Sequence, residues 1–311
     1  MPRRGGEERM VPRAEFQSYY GRPVLKRPRW KAPHLPGYLY FGGLSGASAT
    51  MAALAGATGR GRLETTGRIT AATAAAAGSV LLITELGRPE RFLHMLRVFK
   101  PTSPMSVGSW AMAVHGGLTG ASAASSVTGI APWLGRVAGA GAAVTGPMLA
   151  TYTGVLIADT AVPAWHEGYR HLPLLFAGSA LASAGAVGMA AVPGAEGAPA
   201  RRMALLGAGL ELAAAGTLEK GRGMRGEHRE LVSEPYRTGR AGLLLRCGRG
   251  LTAAGAAGTV VAGRSRTAAI VSGLALTGGA VCTRFGVFYA GLASAEDPKY
   301  TVVPQRAATG A

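Results

Sequence analysis

Eight long apolar runs, separated by basic, glycine- or proline-containing segments, constrain this chain more than any other feature. They cover roughly residues 37–57, 69–86, 107–130, 137–162, 172–192, 203–218, 244–263 and 267–293. Most are near or above the ~20 residues that cross ~30 Å of hydrocarbon at ~1.5 Å per residue. The sixth is short and carries Glu211, so its place in the set rests partly on parity with the others. Only 16% of the residues are charged, against roughly 25% in an ordinary soluble domain. That is too little polar surface to wrap eight core helices in water. The expected fold is an all-α integral membrane protein, a bundle of about eight transmembrane helices. A basic N-terminal surface segment (1–36) precedes the membrane domain (37–295), and a short tail (296–311) follows it.

The N-terminal segment is polar, and its prolines Pro23, Pro28 and Pro36 disfavour a continuous helix. It is expected to lie on the membrane surface or against a partner, with Trp30, Tyr38 and Tyr40 as interfacial aromatics where the chain enters the bilayer. The first apolar run begins late and is followed by many more, which does not fit a cleaved signal peptide. The runs are rich in Gly, Ala, Ser and Thr, as in GGLSGASA (42–49) and GAGAAVTG (139–146). Small residues let helix backbones approach closely, which is how helices associate where lipid supplies no hydrophobic drive between them.

A net charge of +17 would suggest nucleic acid on a soluble protein. Here the cations sit between apolar runs and aromatics for base stacking are sparse, so a nucleic-acid partner is not expected. The lipid bilayer is the expected surroundings. With alternating spans, the face bearing both termini collects 22 Lys and Arg and the opposite face 8. By the positive-inside rule the chain is a multi-pass protein of the cell membrane with cytoplasmic termini. Cys247 and Cys282 both fall in apolar runs and suggest neither a disulfide framework nor a metal site.

An ionisable group left in hydrocarbon costs about 2.5 to 3.5 kcal/mol on insertion scales, so each is a functional candidate. Glu85 ends the second run, and Asp159 lies one turn from the terminus-bearing face on the fourth. By helical rise Tyr152 is about 15 Å and His115 about 12 Å from that face, with Arg284 about three turns in. All five fall in the half next to the basic loop LGRPERFLHMLRVFKPTSPM (86–105). A carboxylate, an imidazole and a phenol reachable from one face are groups that hydrogen-bond a quinone's carbonyls and carry protons. The plainer alternatives are that Glu85 and Arg284 pair or snorkel at helix ends and that His115 is a satisfied packing histidine. Glu211 reads equally as structural or as a proton-path residue. Haem wants axial His or Met on facing spans, and only His115 lies well inside one; two separated cysteines cannot hold an iron–sulfur cluster. Neither haem nor an iron–sulfur cluster is expected in this chain, and no metal site is.

The run ELGRPERFLHMLRVFKPTSPMSVGSW (85–110) resembles the segment after the second helix of the NrfD/PsrC family, the quinone-reactive membrane subunits of polysulfide-reductase-like molybdoenzyme complexes. YYGRPVLKRPRWK (19–31), TYTGVLIADTAVPAWHE (151–167) and RFGVFYAGLASAEDPKYTVVPQR (284–306) resemble it further, in the same order. The resemblance implies an eight-helix subunit, without a metal of its own, that exchanges electrons between quinone (menaquinone or ubiquinone) and a ferredoxin-like subunit carrying 4Fe-4S clusters. That subunit in turn serves a molybdopterin catalytic subunit. It implies that Glu85, Arg88, Pro89, Glu90, Arg91 and Phe92 belong to the motif loop, and Tyr152 and Asp159 to the fourth-helix motif. His115 joins the set on depth alone. Where relatives of this type carry an acidic residue, this chain has Tyr289, which puts a proton route through that point in doubt.

The expectation is thus a quinone-binding anchor with Glu85, His115, Tyr152 and Asp159 as pocket lining and proton relay. Arg88, Glu90, Arg91 and Phe92 would act in a partner or pocket loop. Two rivals stay open. A transporter predicts internal repeats, and none is visible in the sequence; an inert anchor predicts no quinone binding.

Overall fold

The computed structural model describes residues 24–86, 90, 92–224 and 228–309, the last three by backbone only. Among these residues there is no strand. Eight helices have 20 residues or more: α1 (His34–Ala57), α2 (Gly61–Glu85), α4 (Pro104–Thr128), α5 (Pro132–Ala158), α7 (Leu172–Ala191), α8 (Ala198–Glu219), α10 (Gly239–Val261) and α11 (Arg266–Glu296). Short helices α3 (Phe92–Met95), α6 (Pro163–Glu167) and α9 (Arg229–Ser233), a 3-10 turn (Glu234–Tyr236) and α12 (Lys299–Thr309) fall outside them. Four helices, α2, α5, α7 and α11, are long and apolar enough to cross a membrane. The other four are as long, but α1 and α4 are diluted by Gly, Ser and Thr, while α8 and α10 carry Arg201, Arg202, Glu211, Arg246 and Arg249.

Helix starts follow local chemistry. Pro104 and Pro132 occupy the first turns of α4 and α5, where a missing N–H removes no bond. Ser103 caps α4 by accepting from the Ser106 amide. Helix α2 begins eight residues before the apolar run it contains. Its first turns hold Glu64 and Arg68, which form an ion pair at i,i+4 and so stay inside the helix.

The long helices form two four-helix groups of the same order. Helices α1, α2, α4 and α5 pack each on the next and close α5 on α1; α7, α8, α10 and α11 do likewise. The groups meet along α1, α5, α7 and α11. Gly46 of α1 and Gly146 of α5 let their backbones approach so closely that a Cβ on either would overlap the other's carbonyl. Consecutive long helices alternate in direction, so the start of α1 and the end of α11 lie at one end of the bundle. There Arg27 pairs with Glu296 at 3.0 Å.

At that end the second group is plugged. Trp165 of α6 is fully buried and donates through Nε1 to the Val287 carbonyl at 2.8 Å, and Tyr236 donates to the Ala164 carbonyl at 2.8 Å. Among the described residues no such plug fills the first group, and an opening remains there.

Candidate functional site

The opening is a cavity of about 260 Å³ between the N-terminal segment and the ends of α1, α2, α4 and α5. Leu35, Leu82, Met105 and Leu156 give it apolar walls, and Trp30 and Arg29 form its outer rim. Tyr38, Glu85, Ser109 and Tyr152 add polar side chains to its lining.

Glu85 is the last residue of α2, and its side chain is 11% exposed. One carboxylate oxygen accepts from the Lys31 amide at 2.7 Å, and the other lies 3.4 Å from His34 Nδ1. The group is held in place at the lip of an apolar cavity. Tyr152 comes from the middle of the last three turns of α5 and donates to the Pro104 carbonyl at the start of α4. Its ring lies flat against Gly108, where any Cβ would overlap it. The phenol oxygen keeps lone pairs for a donor in the cavity, and its hydrogen can swing from Pro104 to an acceptor there.

The structure therefore brings together two of the four residues expected to line a pocket. Asp159 is not with them: α5 ends at Ala158, and Asp159 is its exposed C-cap, so it is no buried carboxylate. His115 is fully buried and does not line the cavity; it lies about two turns further along α4 than Gly108 and Ser109, which do. Its ring is held by Ser45 Oγ at 3.0 Å from Nε2 and Thr145 Oγ1 at 2.8 Å from Nδ1. In the loop, Glu90 is exposed and Phe92 half-buried, and neither lines the cavity, whereas Met95 one turn on does. Arg88 and Arg91 lie outside the described residues. Among the described residues no group of three or more His, Cys, Asp or Glu is arranged to hold a metal ion.

Two lining residues were expected in another role. Trp30 and Tyr38 read as interfacial aromatics, but Tyr38 is 2% exposed and lines the cavity. Trp30 packs on Trp165 with ring centroids 5.8 Å apart. The described part of the N-terminal segment, from residue 24 on, is folded against the bundle end through Arg27, Trp30 and Lys31. It also borders a shallower cleft of about 460 Å³ with Arg27, Arg29, Lys31, Phe288 and Tyr289, so Trp30 and Arg29 stand between cleft and cavity. Tyr289 carries the Arg240 guanidinium 4.0 Å over its ring.

A second polar cluster lies in the other group. Glu211, 2% exposed, accepts from Thr283 at 2.7 Å and Thr252 at 3.4 Å. Arg284 is 1% exposed, donates to the Phe176 carbonyl at 2.8 Å and stacks 3.8 Å over that residue's ring. Arg284 thus lies on α11 of the second group, packed against Phe176 and next to Gly43 of α1, and does not line the cavity.

The family model described as "Polysulphide reductase, NrfD" matches residues 26–206. The chain belongs to the NrfD family. The match takes in every residue lining the 260 Å³ cavity, from Arg29 to Leu156. As an NrfD protein with apolar helices, the chain is an integral membrane protein, a membrane subunit of the polysulphide-reductase-like type. No curated protein matches it.

Proposed function

We propose that this NrfD-family chain is a quinone-exchanging membrane anchor. All eight long helices would span the bilayer, and electrons would pass between membrane quinone and a peripheral iron–sulfur subunit of a molybdopterin oxidoreductase. The observation that carries this reading is the cavity holding Glu85 and Tyr152 at the bundle end. Its volume is near the lower end of the ~300–1,000 Å³ typical of ligand sites, which suits one ring rather than a large cofactor. Its walls are largely apolar, and among their polar groups are a carboxylate, Glu85, and a phenol, Tyr152, which would bond the two oxygens across such a ring.

Bound quinone would supply two-electron, two-proton redox chemistry. The chain's own part is to hold and exchange protons at the ring oxygens. Glu85 Oε2, not engaged by the Lys31 amide, accepts a proton from a ring hydroxyl or returns one. Tyr152 turns its hydrogen from Pro104 toward the second oxygen and fixes the ring's orientation. Trp30 closes the cavity toward the cationic cleft of Arg27, Arg29 and Lys31, where an acidic iron–sulfur partner would dock by charge complementarity. The face bearing the termini, richer in Lys and Arg, would be cytoplasmic.

The test is Glu85→Gln in the assembled complex. The amide keeps an acceptor for Lys31 but takes no proton, so quinol-coupled turnover should fall roughly 100-fold. Electron transfer between the iron–sulfur partner and a soluble dye should persist. Unchanged quinol turnover would remove Glu85 from the mechanism, and an inert anchor would in addition bind no quinone analogue.

A further inference from the structure

The first helix group holds another cavity, at the end opposite Glu85. It measures about 320 Å³ and lies among α1, α2, α4 and α5. Its origin is in the small residues of the α1–α5 seam. The two backbones touch at Gly46 and Gly146, and from there on α1 contributes only Ala and Gly to the lining, and α5 only Ala, Gly and Arg136. No large apolar side chain refills the space as the helices run on, so a hollow floored by Ala49, Ala71 and Ala142 is left. It reaches about 12 Å along α1, from Ala49 to Ala57.

Three hydrogen-bond donors line this hollow from three helices. Arg136 of α5 is exposed at the mouth and enters no ion pair among the described residues. Arg68 of α2 uses one guanidinium nitrogen on Glu64 and another on Ser126, and its five N–H groups leave donors over. Ser122 of α4 is 2% exposed, and its hydroxyl has no partner among the described residues. Two of the three converge beside Gly139 of α5, where a Cβ would stand 3.0 Å from Ser122 Oγ and 3.5 Å from Arg68 Nη2. Arg136 precedes Gly139 by one turn on the same face of that helix. A buried hydroxyl is ordinarily hydrogen-bonded, so an orphan at the wall of a cavity marks the place of an oxygen that the chain does not supply. Two arginines against Glu64 leave the lining one net positive charge.

We infer that this cavity is a site for a singly charged phosphate group, held by Arg68, Arg136 and Ser122. Arg136 stands about 6 Å and Arg68 about 10 Å from the starts of their helices. In a spanning helix that is the depth at which headgroups give way to hydrocarbon. A phosphate carries its oxygens on all sides of one atom and accepts from donors on three helices at once, whereas a carboxylate offers two oxygens in one plane. Guanidinium groups suit such oxygens, binding them in pairs. A phosphodiester, as in phosphatidylglycerol, carries the one negative charge that the lining calls for, and the carbons next to it would lie on the alanine walls. Free phosphate presents the same group. The site shares no residue with the Glu85 cavity and stands apart from the quinone reading.

The test uses the full chain, purified in detergent and stripped of lipid, with thermal unfolding as the readout. Dihexanoylphosphatidylglycerol, short enough to be added as a monomer, should raise the melting temperature saturably by about 5 °C. Ser122→Ala and Arg136→Gln should each raise the half-saturating concentration about tenfold or more. Ser122→Ala removes only an unpaired hydroxyl, so without lipid it should melt at or above the wild-type temperature, which separates a lost contact from a damaged fold. Inorganic phosphate acting through the same two residues, with the lipid no better, would identify free phosphate as the source. No saturable rise, as for a cavity that holds water alone, would overturn the inference. So would a rise that either variant leaves unchanged, or an equal response to zwitterionic dihexanoylphosphatidylcholine. Glu85→Gln, which tests the quinone reading, should leave the lipid response as it is, so the two can fail separately.

Discussion

Lys31 and Glu85 are 54 residues apart in sequence, yet the Lys31 amide donates to the Glu85 carboxylate at 2.7 Å. The bond fastens the N-terminal segment across the end of α2 and so closes one wall of the cavity. A hydrogen bond to a charged group is worth about 1.5–3 kcal/mol. Its loss in Glu85→Ala should raise the population of the opened segment by roughly tenfold or more. Limited trypsin digestion should then cut after Arg29 correspondingly faster, whereas Glu85→Gln, which keeps an acceptor, should be cut more nearly at the wild-type rate.

Gly108 is the position where the fold leaves room for the Tyr152 ring, because any Cβ would sit inside that ring's volume. Gly108→Ala should displace the phenol and break its bond to Pro104. Overpacking of this kind costs about 1–3 kcal/mol, which leaves a many-helix bundle folded. The expected outcome is a lowered melting temperature together with weakened quinone-analogue binding. Unchanged binding would show that Tyr152 does not hold the ring.

Much of this arrangement could be read from the sequence, and the misses have physical causes. The apolar runs found all eight long helices, because hydrophobic length is the signal that such helices must carry. The start of α2 was placed late because Glu64 and Arg68 look like loop charges until they are seen as an i,i+4 pair. Depth along a helix put Glu85 and Tyr152 in one half of the bundle, and they do share a cavity. Depth gives height but not direction, so His115 was grouped with them although it does not line that cavity. Asp159 failed for another reason. An apolar run continues past it to Val162, while the helix itself stops at Ala158. The common order of the two helix groups left no repeat in the sequence, since helix packing demands small residues at contacts and not the same residues.

Arg27 and Glu296 pair at one end of the bundle, and by alternation of the proposed spans that face would carry most of the Lys and Arg. A phosphatase or fluorescent reporter fused after Ala311 therefore reads the orientation of the whole chain. The expected result is fluorescence and no phosphatase activity, as for a cytoplasmic C-terminus. Active phosphatase would invert the proposed orientation and put the Glu85 cavity at the outer face.

Glu211 and Arg284 are the most deeply buried charged side chains of the second helix group, and a double substitution tests whether they act as a pair. Glu211 is satisfied by two threonine hydroxyls, but Arg284 keeps two guanidinium nitrogens without a hydrogen-bond partner. Removing one member of a buried pair leaves an uncompensated charge, a loss of about 3–5 kcal/mol. Replacing both with apolar residues of similar size removes the problem instead of creating one. Arg284→Met and Glu211→Met should therefore each lower the melting temperature strongly, and the double variant should recover most of the loss. A double-mutant cycle read by thermal unfolding gives the coupling directly. Additive losses would mean that the two side chains are buried independently. In that case Arg284 would be held by the Phe176 carbonyl and ring rather than by Glu211.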